Sequence, residues 1–340
     1  MTRESGRPVT ARPAEVKPDG LAPAILTRGL SRSFGGRPAL ESLDLTVGSG
    51  EMFCIVGPDG AGKSTTVRLL CGILEPTAGD ANILGLSLTR DADAIRTKVG
   101  YLSQAFTLYG DLTVDENIEF FASLHGVRDF SQRRNELLEF SRLTGARGRL
   151  AGNLSGGMKK KLALACTLIH TPAIVFLDEP STGVDPVSRG EFWSILSDIL
   201  AQGITVVLTT PYLDEAERCD RVAMLHRGRL VRVGSPDEIR ACMPGVVFTI
   251  SCDRPREAYA VLRSRWPSTN VVLTGGAIRF WSAAGRSDVD EAARLLGDRG
   301  HGCAGITEAE PTLDDVFVAL LSERGEAGEA DAEGRAGGGG

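Results

Sequence analysis

The residues GPDGAGKST, positions 57–65, follow the short apolar run Met52–Val56. Their order is G-x-x-x-x-G-K-[ST], in the setting such a loop requires, after a strand and before a helix. Gly57, Pro58, Asp59, Gly60, Ala61 and Gly62 let backbone N–H groups curl around phosphate oxygens. The helix beginning near Lys63 adds partial positive charge. In that cradle Lys63 reaches the β- and γ-phosphates, Ser64 ligates Mg²⁺ and Thr65 hydrogen-bonds phosphate nearby. The bland alternative, a chance glycine-rich turn, does not account for the whole motif in this context.

A second apolar strand, Ile174–Leu177, runs into Asp178-Glu179. A carboxylate ending a strand in the same sheet as the phosphate loop holds the water shell of Mg²⁺, which assigns Asp178. Glu179 follows at once and points elsewhere, so it is the candidate to orient or deprotonate an attacking water. Alone, the dipeptide would mean little; it gains weight from standing in phase with Lys63. The two motifs together read as a P-loop NTPase. A GTPase would usually carry N-K-x-D, and that segment is missing from the sequence.

The most specific further element is LSGGMKKKLALA, residues 154–165. With it, about residues 24–241 closely resemble the nucleotide-binding subunits of ABC transporters. Ser155 can N-cap the following helix, and Gly156 and Gly157 leave its N–H groups uncovered, which suits an anion. The resemblance implies that this helix start closes on the γ-phosphate held by a partner subunit, so that two subunits sandwich the nucleotide. It further implies a Q-loop at Tyr101-Leu102-Ser103-Gln104, where Gln104 contacts Mg²⁺ or the water and relays nucleotide state. Ser181–Asp185 resembles the D-loop, with Asp185 crossing the dimer seam. Phe34 stands in the place of the adenine-stacking aromatic, a role that needs only a ring; a core phenylalanine is the alternative. The implied catalytic set is Glu179, Gln104 and Lys63, the implied metal ligands are Ser64, Gln104 and Asp178, and the cofactors are ATP and Mg²⁺. Lys159, Lys160 and Lys161 are expected on the solvated part of the signature helix rather than at a nucleic-acid site.

One position departs from the family. In Thr209-Thr210-Pro211-Tyr212-Leu213-Asp214-Glu215-Ala216-Glu217 the expected switch histidine is Pro211. Proline has neither a side-chain donor nor a backbone N–H, so it cannot bond the γ-phosphate or steady Glu179. His226 is expected beyond the next strand, facing solvent. Two readings stay open: a site that binds ATP but hydrolyses it slowly beside a partner with an intact histidine, and a homodimer whose sites work through Glu179 without it.

These residues need a scaffold. Apolar strands at Met52–Val56, Ala173–Leu177, Thr205–Thr209 and Val222–Leu225 alternate with helices at Lys63–Cys71, Val114–Leu124, Gly157–Ile169, Ser188–Leu200 and Leu213–Arg218. That pattern predicts an α/β fold with a mostly parallel sheet covered on both faces. Ile25–Val47 and Asp80–Val99 are expected as an antiparallel β flank, and about 105–165 as an inserted helical lobe. Residues 1–22 and 321–340, polar or rich in Gly, Ala and Glu, read as a disordered arm and tail. The nucleotide-binding domain is expected over 23–243 and a small α+β module over 244–320. In that module, strands Val271–Leu273 and Ala277–Trp281 flank a Gly275-Gly276 turn.

Composition narrows the class. The 340 residues carry a net charge of −6 with no basic block beyond the lysine run, which argues against nucleic-acid binding. Seven cysteines without CxxC spacing suggest a reducing compartment and buried thiols. No apolar stretch is long enough to span a bilayer, and no secretory signal is read at the start. Any channel must then come from another chain, and the resemblance implies an integral membrane permease and a second ATP-binding subunit as partners, at the cytoplasmic face of the membrane. The segment AFTLYGDLTVDEN, 105–117, and the ending EPTLDDVF, 310–317, resemble the bacterial ABC-2 exporter group of drug, lipid and polysaccharide transporters. An ATP clamp with little hydrolysis and a soluble non-transport ABC ATPase are the alternatives.

Overall fold

Two sheets of different character share the first part of the chain. The computed structural model describes residues 22–105, 108–267 and 270–323. The expected arm and tail lie outside these residues, apart from residue 22 and the last residues of the final helix. The strands β1 (Ile25–Phe34), β2 (Arg37–Leu43) and β3 (Thr46–Val47) open the fold, followed by β4 (Met52–Val56) and α1 (Lys63–Leu70). Next come β5 (Ala78–Ile83), β6 (Leu86–Ser87), α2 (Ala92–Lys98) and β7 (Val99–Leu102), then α3 (Val114–Leu124), α4 (Ser131–Phe140) and α5 (Gly156–Leu168). The unit finishes with β8 (Ile174–Asp178), α6 (Pro186–Ala201), β9 (Thr205–Thr210), α7 (Leu213–Ala216), β10 (Arg221–His226) and β11 (Arg229–Gly234).

The larger sheet has the order β11-β10-β4-β9-β8-β7, and its pairs from β10 to β7 are parallel. β4 and β8 are buried at every position, as strands covered on both faces must be. The second sheet, β2-β1-β5-β6 with β3 on β1, is antiparallel. Helix α1 lies between the two, with Val67, Leu69 and Leu70 in one core with Phe53, Phe176 and Val207 of the parallel sheet and Leu30, Leu40 and Ile83 of the flank. The flank is shorter than expected at its second end. Ala92–Lys98 is helical, and Val99 opens β7, a parallel strand.

Helices α3, α4 and α5 form the lobe. Thr113 caps α3 in a reciprocal pair with Glu116, whose carboxylate accepts the Thr113 N–H at 2.7 Å. The buried Asn117 amide donates to the carbonyls of Tyr109, Leu112 and Thr113 and accepts the Tyr109 N–H. That side chain fixes the loop entering the lobe; Phe106 and Thr107 lie outside the described residues. The lysine run does not behave as expected. Successive helical residues are turned by about 100°, so Lys161 leaves the solvated side, is buried, and pairs with Glu191 of α6.

The second unit begins after Val233, earlier than the expected boundary at 243, because α8 (Pro236–Arg240) packs with the last helix of that unit. It contains β12 (Val246–Cys252), α9 (Pro255–Arg263), β13 (Val271–Thr274), β14 (Ala277–Ser282), α10 (Arg286–Asp298), β15 (Cys303–Ala309) and α11 (Leu313–Glu323). The helix α11 runs past Leu320, where the tail was expected to begin. The antiparallel order is β13-β14-β12-β15. Phe248, Ile250, Ile278 and Phe280 face Leu262, Trp266 and Leu296 in its core. The hairpin turns at Gly275 and Gly276, both with positive φ, as a two-residue turn requires.

A pH dependence is built into the first unit. His125, at the end of α3, and His170, just after α5, stack with ring centroids 4.0 Å apart. Burial, reinforced by the neighbouring His125, holds the His170 pKa down from 6.5 to about 4, against the pull of the Val99 carbonyl. Burial also lowers that of His125. Because the folded value lies below the unfolded one, the unfolded chain takes up the extra proton first. The stabilisation is full above about 6.5 and is lost as the pH falls toward about 4. In urea unfolding, the wild-type midpoint should drop more between neutral pH and about pH 4.5 than that of His170→Asn. Equal drops would remove His170 from the account.

Candidate active site

The phosphate loop is held by contacts that only glycine permits at two positions. A Cβ on Gly57 would meet the Leu225 carbonyl oxygen at 2.2 Å. One on Gly62, where φ is +101°, would meet that of Ala39 at 2.6 Å. The loop thus lies pressed between β10 and β2, and Gly62 turns the chain into α1 without a side-chain cap. The N–H groups of the first turn are left for a ligand.

Lys63 is buried, and its ammonium is not idle. It donates to the Gly57 and Pro58 carbonyls at 2.8 and 3.1 Å. It also stands 3.4 Å from Glu179 Oε1 and 3.9 Å from the exposed Asp59 carboxylate. Beside it, Ser64 Oγ donates to Asp178 Oδ1 at 2.8 Å. Asp178 is fully buried at the end of β8 and takes a second hydroxyl, Thr209 Oγ1 of β9, at 2.7 Å on the same oxygen. Tyr101 of β7 approaches Oδ2 at 3.4 Å. One carboxylate therefore gathers α1, β7, β8 and β9.

Glu179 adopts φ +48°, a left-handed conformation unusual for a long side chain. Its N–H is held by Thr209 Oγ1 at 3.0 Å. The turn aims the side chain back over the loop, where Gln104 Nε2 donates to Oε2 at 2.9 Å. Such strain costs on the order of 1–3 kcal/mol and persists only where neighbours over-determine it. Lys160 of α5 lies 3.5 Å from the Gln104 carbonyl, and burial lowers its pKa against the pull of Glu179 and Asp178.

A cleft of about 550 Å³ is lined by Phe34, Ala39, residues 59–65, Gln104 and Glu179. Phe34 is exposed rather than part of the core, with the Arg32 guanidinium 4.7 Å from its ring. Ser155, Gly156, Gly157 and Asp185 do not line this cleft. They form a second group. Ser155 caps α5, accepting the Met158 N–H at 3.3 Å. Asp185 caps α6, accepting from Val187 and Ser188, and those bonds, Ser188 first, lower its pKa. A Cβ on Gly157 would meet Ser188 Oγ at 2.4 Å, so the two helix starts are in close contact.

Pro211 stands directly after β9, and the two threonine hydroxyls before it are engaged. Thr209 serves Asp178 and the Glu179 N–H. Thr210 donates to the buried Glu215 at 2.7 Å and accepts the Tyr212 N–H. His226 is not at the surface as expected. It ends β10 and is buried, because the strand runs one residue beyond the apolar stretch. Three contributors were missed: Tyr101, Thr209 and Glu215. Glu215 accepts from Thr210 and, at 2.8 Å, from Ser181, tying the segment after Glu179 to β9. A buried acid in this acidic run has no periodic signal in the sequence, whereas the hydroxyls ending an apolar strand beside Asp178 could have been noticed.

Residues 40–182 match the family model for ABC transporters. The chain is 42% identical over 219 residues to the probable multidrug ABC transporter ATP-binding protein YbhF of Escherichia coli (strain K12), covering 64% of this chain and 38% of YbhF. It thus spans well under half of that relative's length. With the daunorubicin resistance ATP-binding protein DrrA2 of Streptomyces coeruleorubidus it is 35% identical over 314 residues, covering 90% of this chain and 98% of the relative. A solved structure described as the ATP-binding subunit of an ABC transporter superposes with a TM-score of 0.59 at 31% identity, over 64% of this chain and 92% of that one. The chain belongs to the ATP-binding subunits of ABC transporters.

Proposed function

We propose that this chain hydrolyses ATP to drive an export complex, with a permease and a second ATP-binding subunit as its partners at the cytoplasmic face of the membrane. The observation that carries the reading is Glu179, held between Lys63 and Gln104 above the Ser64–Asp178 pair. Binding phosphate asks Lys63 to exchange the loop carbonyls and Glu179 for phosphate oxygens. That exchange frees the Glu179 carboxylate to accept a proton from water, while Gln104 keeps it oriented. The adenine stacks on Phe34. The donors at Ser64 and Asp178 are oxygens, the set that Mg²⁺ prefers, and Gln104 adds a third. Mg²⁺ bound there would neutralise developing phosphate charge.

The export direction rests on relatives named for a multidrug ABC transporter, for daunorubicin resistance and for Nod factor export. No helix among the described residues is long and apolar enough to cross a membrane, in keeping with a separate permease. Ser155, Gly156, Gly157 and Asp185 stand outside their own cleft. They serve best as the surface that closes over the nucleotide of the second subunit, through the open start of α5.

Pro211 slows this chain's own site. The nearby threonine hydroxyls are already spent on Asp178 and Glu215, so neither restores the missing hydrogen bond. Losing one such bond to a transition state costs about 3 kcal/mol, or about 10² in rate. A partner with an intact histidine then carries the faster site, completed by Ser155 of this chain.

Steady-state phosphate release by the purified chain should be slow and should rise by up to about 10²-fold in Pro211→His. Fast wild-type turnover, indifferent to that change, would sink the slowed-site reading. In the membrane complex, Glu179→Gln should retain ATP binding while this site loses roughly 10²-fold or more in hydrolysis. Ser155→Ala should lower total turnover without weakening ATP binding to the isolated chain; weakened binding would place Ser155 in its own cleft.

A further inference from the structure

Among the seven cysteines, four are buried in the first unit: Cys54, Cys71, Cys166 and Cys219. Cys242 is partly buried, with its thiol on the Glu238 carbonyl. The remaining two are arranged differently. Cys252 ends β12, Cys303 begins β15, and the two are partners across the antiparallel pair, just past the point where its register shifts after Ser251. Their sulfurs are 3.7 Å apart. From that separation, the approach left to a bonded distance of about 2.05 Å is short. Cys303 is exposed, on an edge strand, and Cys252 is partly covered.

We infer that Cys252 and Cys303 are a redox-modification site, which a small disulfide such as glutathione disulfide converts into a strand-bridging disulfide within the second unit. The Cys303 thiolate attacks one sulfur of the reagent, forming a mixed disulfide and releasing one glutathione thiolate. Cys252 then gives up its proton and attacks the Cys303 sulfur, releasing the second glutathione. Two protein thiols lose two electrons, the reagent gains them, and the two thiol protons end on the two glutathiones. The division of roles follows from exposure. Burial and the adjacent Cys303 push the Cys252 thiol up to about 12, so it is the poorer first nucleophile and acts once the mixed disulfide stands beside it. The bond would pin the edge strand β15, which leads into α11, to its inner neighbour.

The inference stands apart from nucleotide chemistry and is tested on the full chain with glutathione disulfide. After native incubation, free thiols are alkylated and the protein is digested without reduction for mass spectrometry. The expected product is a Cys252–Cys303 linked peptide pair, lost on adding dithiothreitol. Cys252→Ser should stop at glutathione on Cys303, and Cys303→Ser should take up little label at Cys252. Continued protection of the four buried cysteines shows that each protein is folded. A wild-type chain that stays glutathionylated at Cys303, keeps both thiols free, or links Cys242 as readily would overturn the proposal.

Discussion

A fully buried carboxylate must find partners or not be charged, and Asp178 finds them on three elements other than its own. Ser64, Thr209 and Tyr101 reach it from α1, β9 and β7. Those contacts set the height of the first turn of α1 against the strand ends, and with it the position of the phosphate loop. They also place Glu179, whose N–H shares the Thr209 hydroxyl. The parallel sheet supplies the frame, but this one polar cluster determines how its carboxyl edge is assembled.

The same economy of polar groups explains how the cleft balances its charges. Lys63 and Glu179 neutralise one another at 3.4 Å, and Gln104 satisfies the second carboxylate oxygen. Under the proposed function, an incoming phosphate would compete with partners the protein already has, so part of the binding energy would go into rearranging Lys63, Glu179 and Gln104. At the lobe itself, Asn117 holds the backbone of Tyr109 in place.

Much of this was legible in the sequence because the loop and strand motifs require particular residues at fixed spacing. The apolar runs at Met52–Val56 and Ile174–Leu177 identified strands, and glycines marked the turn between β4 and α1. What escaped detection were placements that depend on long-range packing. Lys161 is an example: nothing in a run of three lysines says which one will meet Glu191 from another helix. His226 appeared exposed because it follows an apolar stretch and precedes Arg227-Gly228, yet β10 carries it inward. Residues 92–98, inside the stretch expected as β flank, form α2 instead. The paired thiols required the register of β12 against β15, which no cysteine spacing encodes.

Gly157 and Ser188 leave no gap between the start of α5 and the first turn of α6. Even one methyl group on the glycine would have to displace the serine side chain. Residues 157 and 188 thus behave as meshed teeth. A side chain at 157 would also lie 2.6 Å from the Ser188 Cβ, which no turn of the hydroxyl relieves, so it would have to prise the start of α5 away from the first turn of α6.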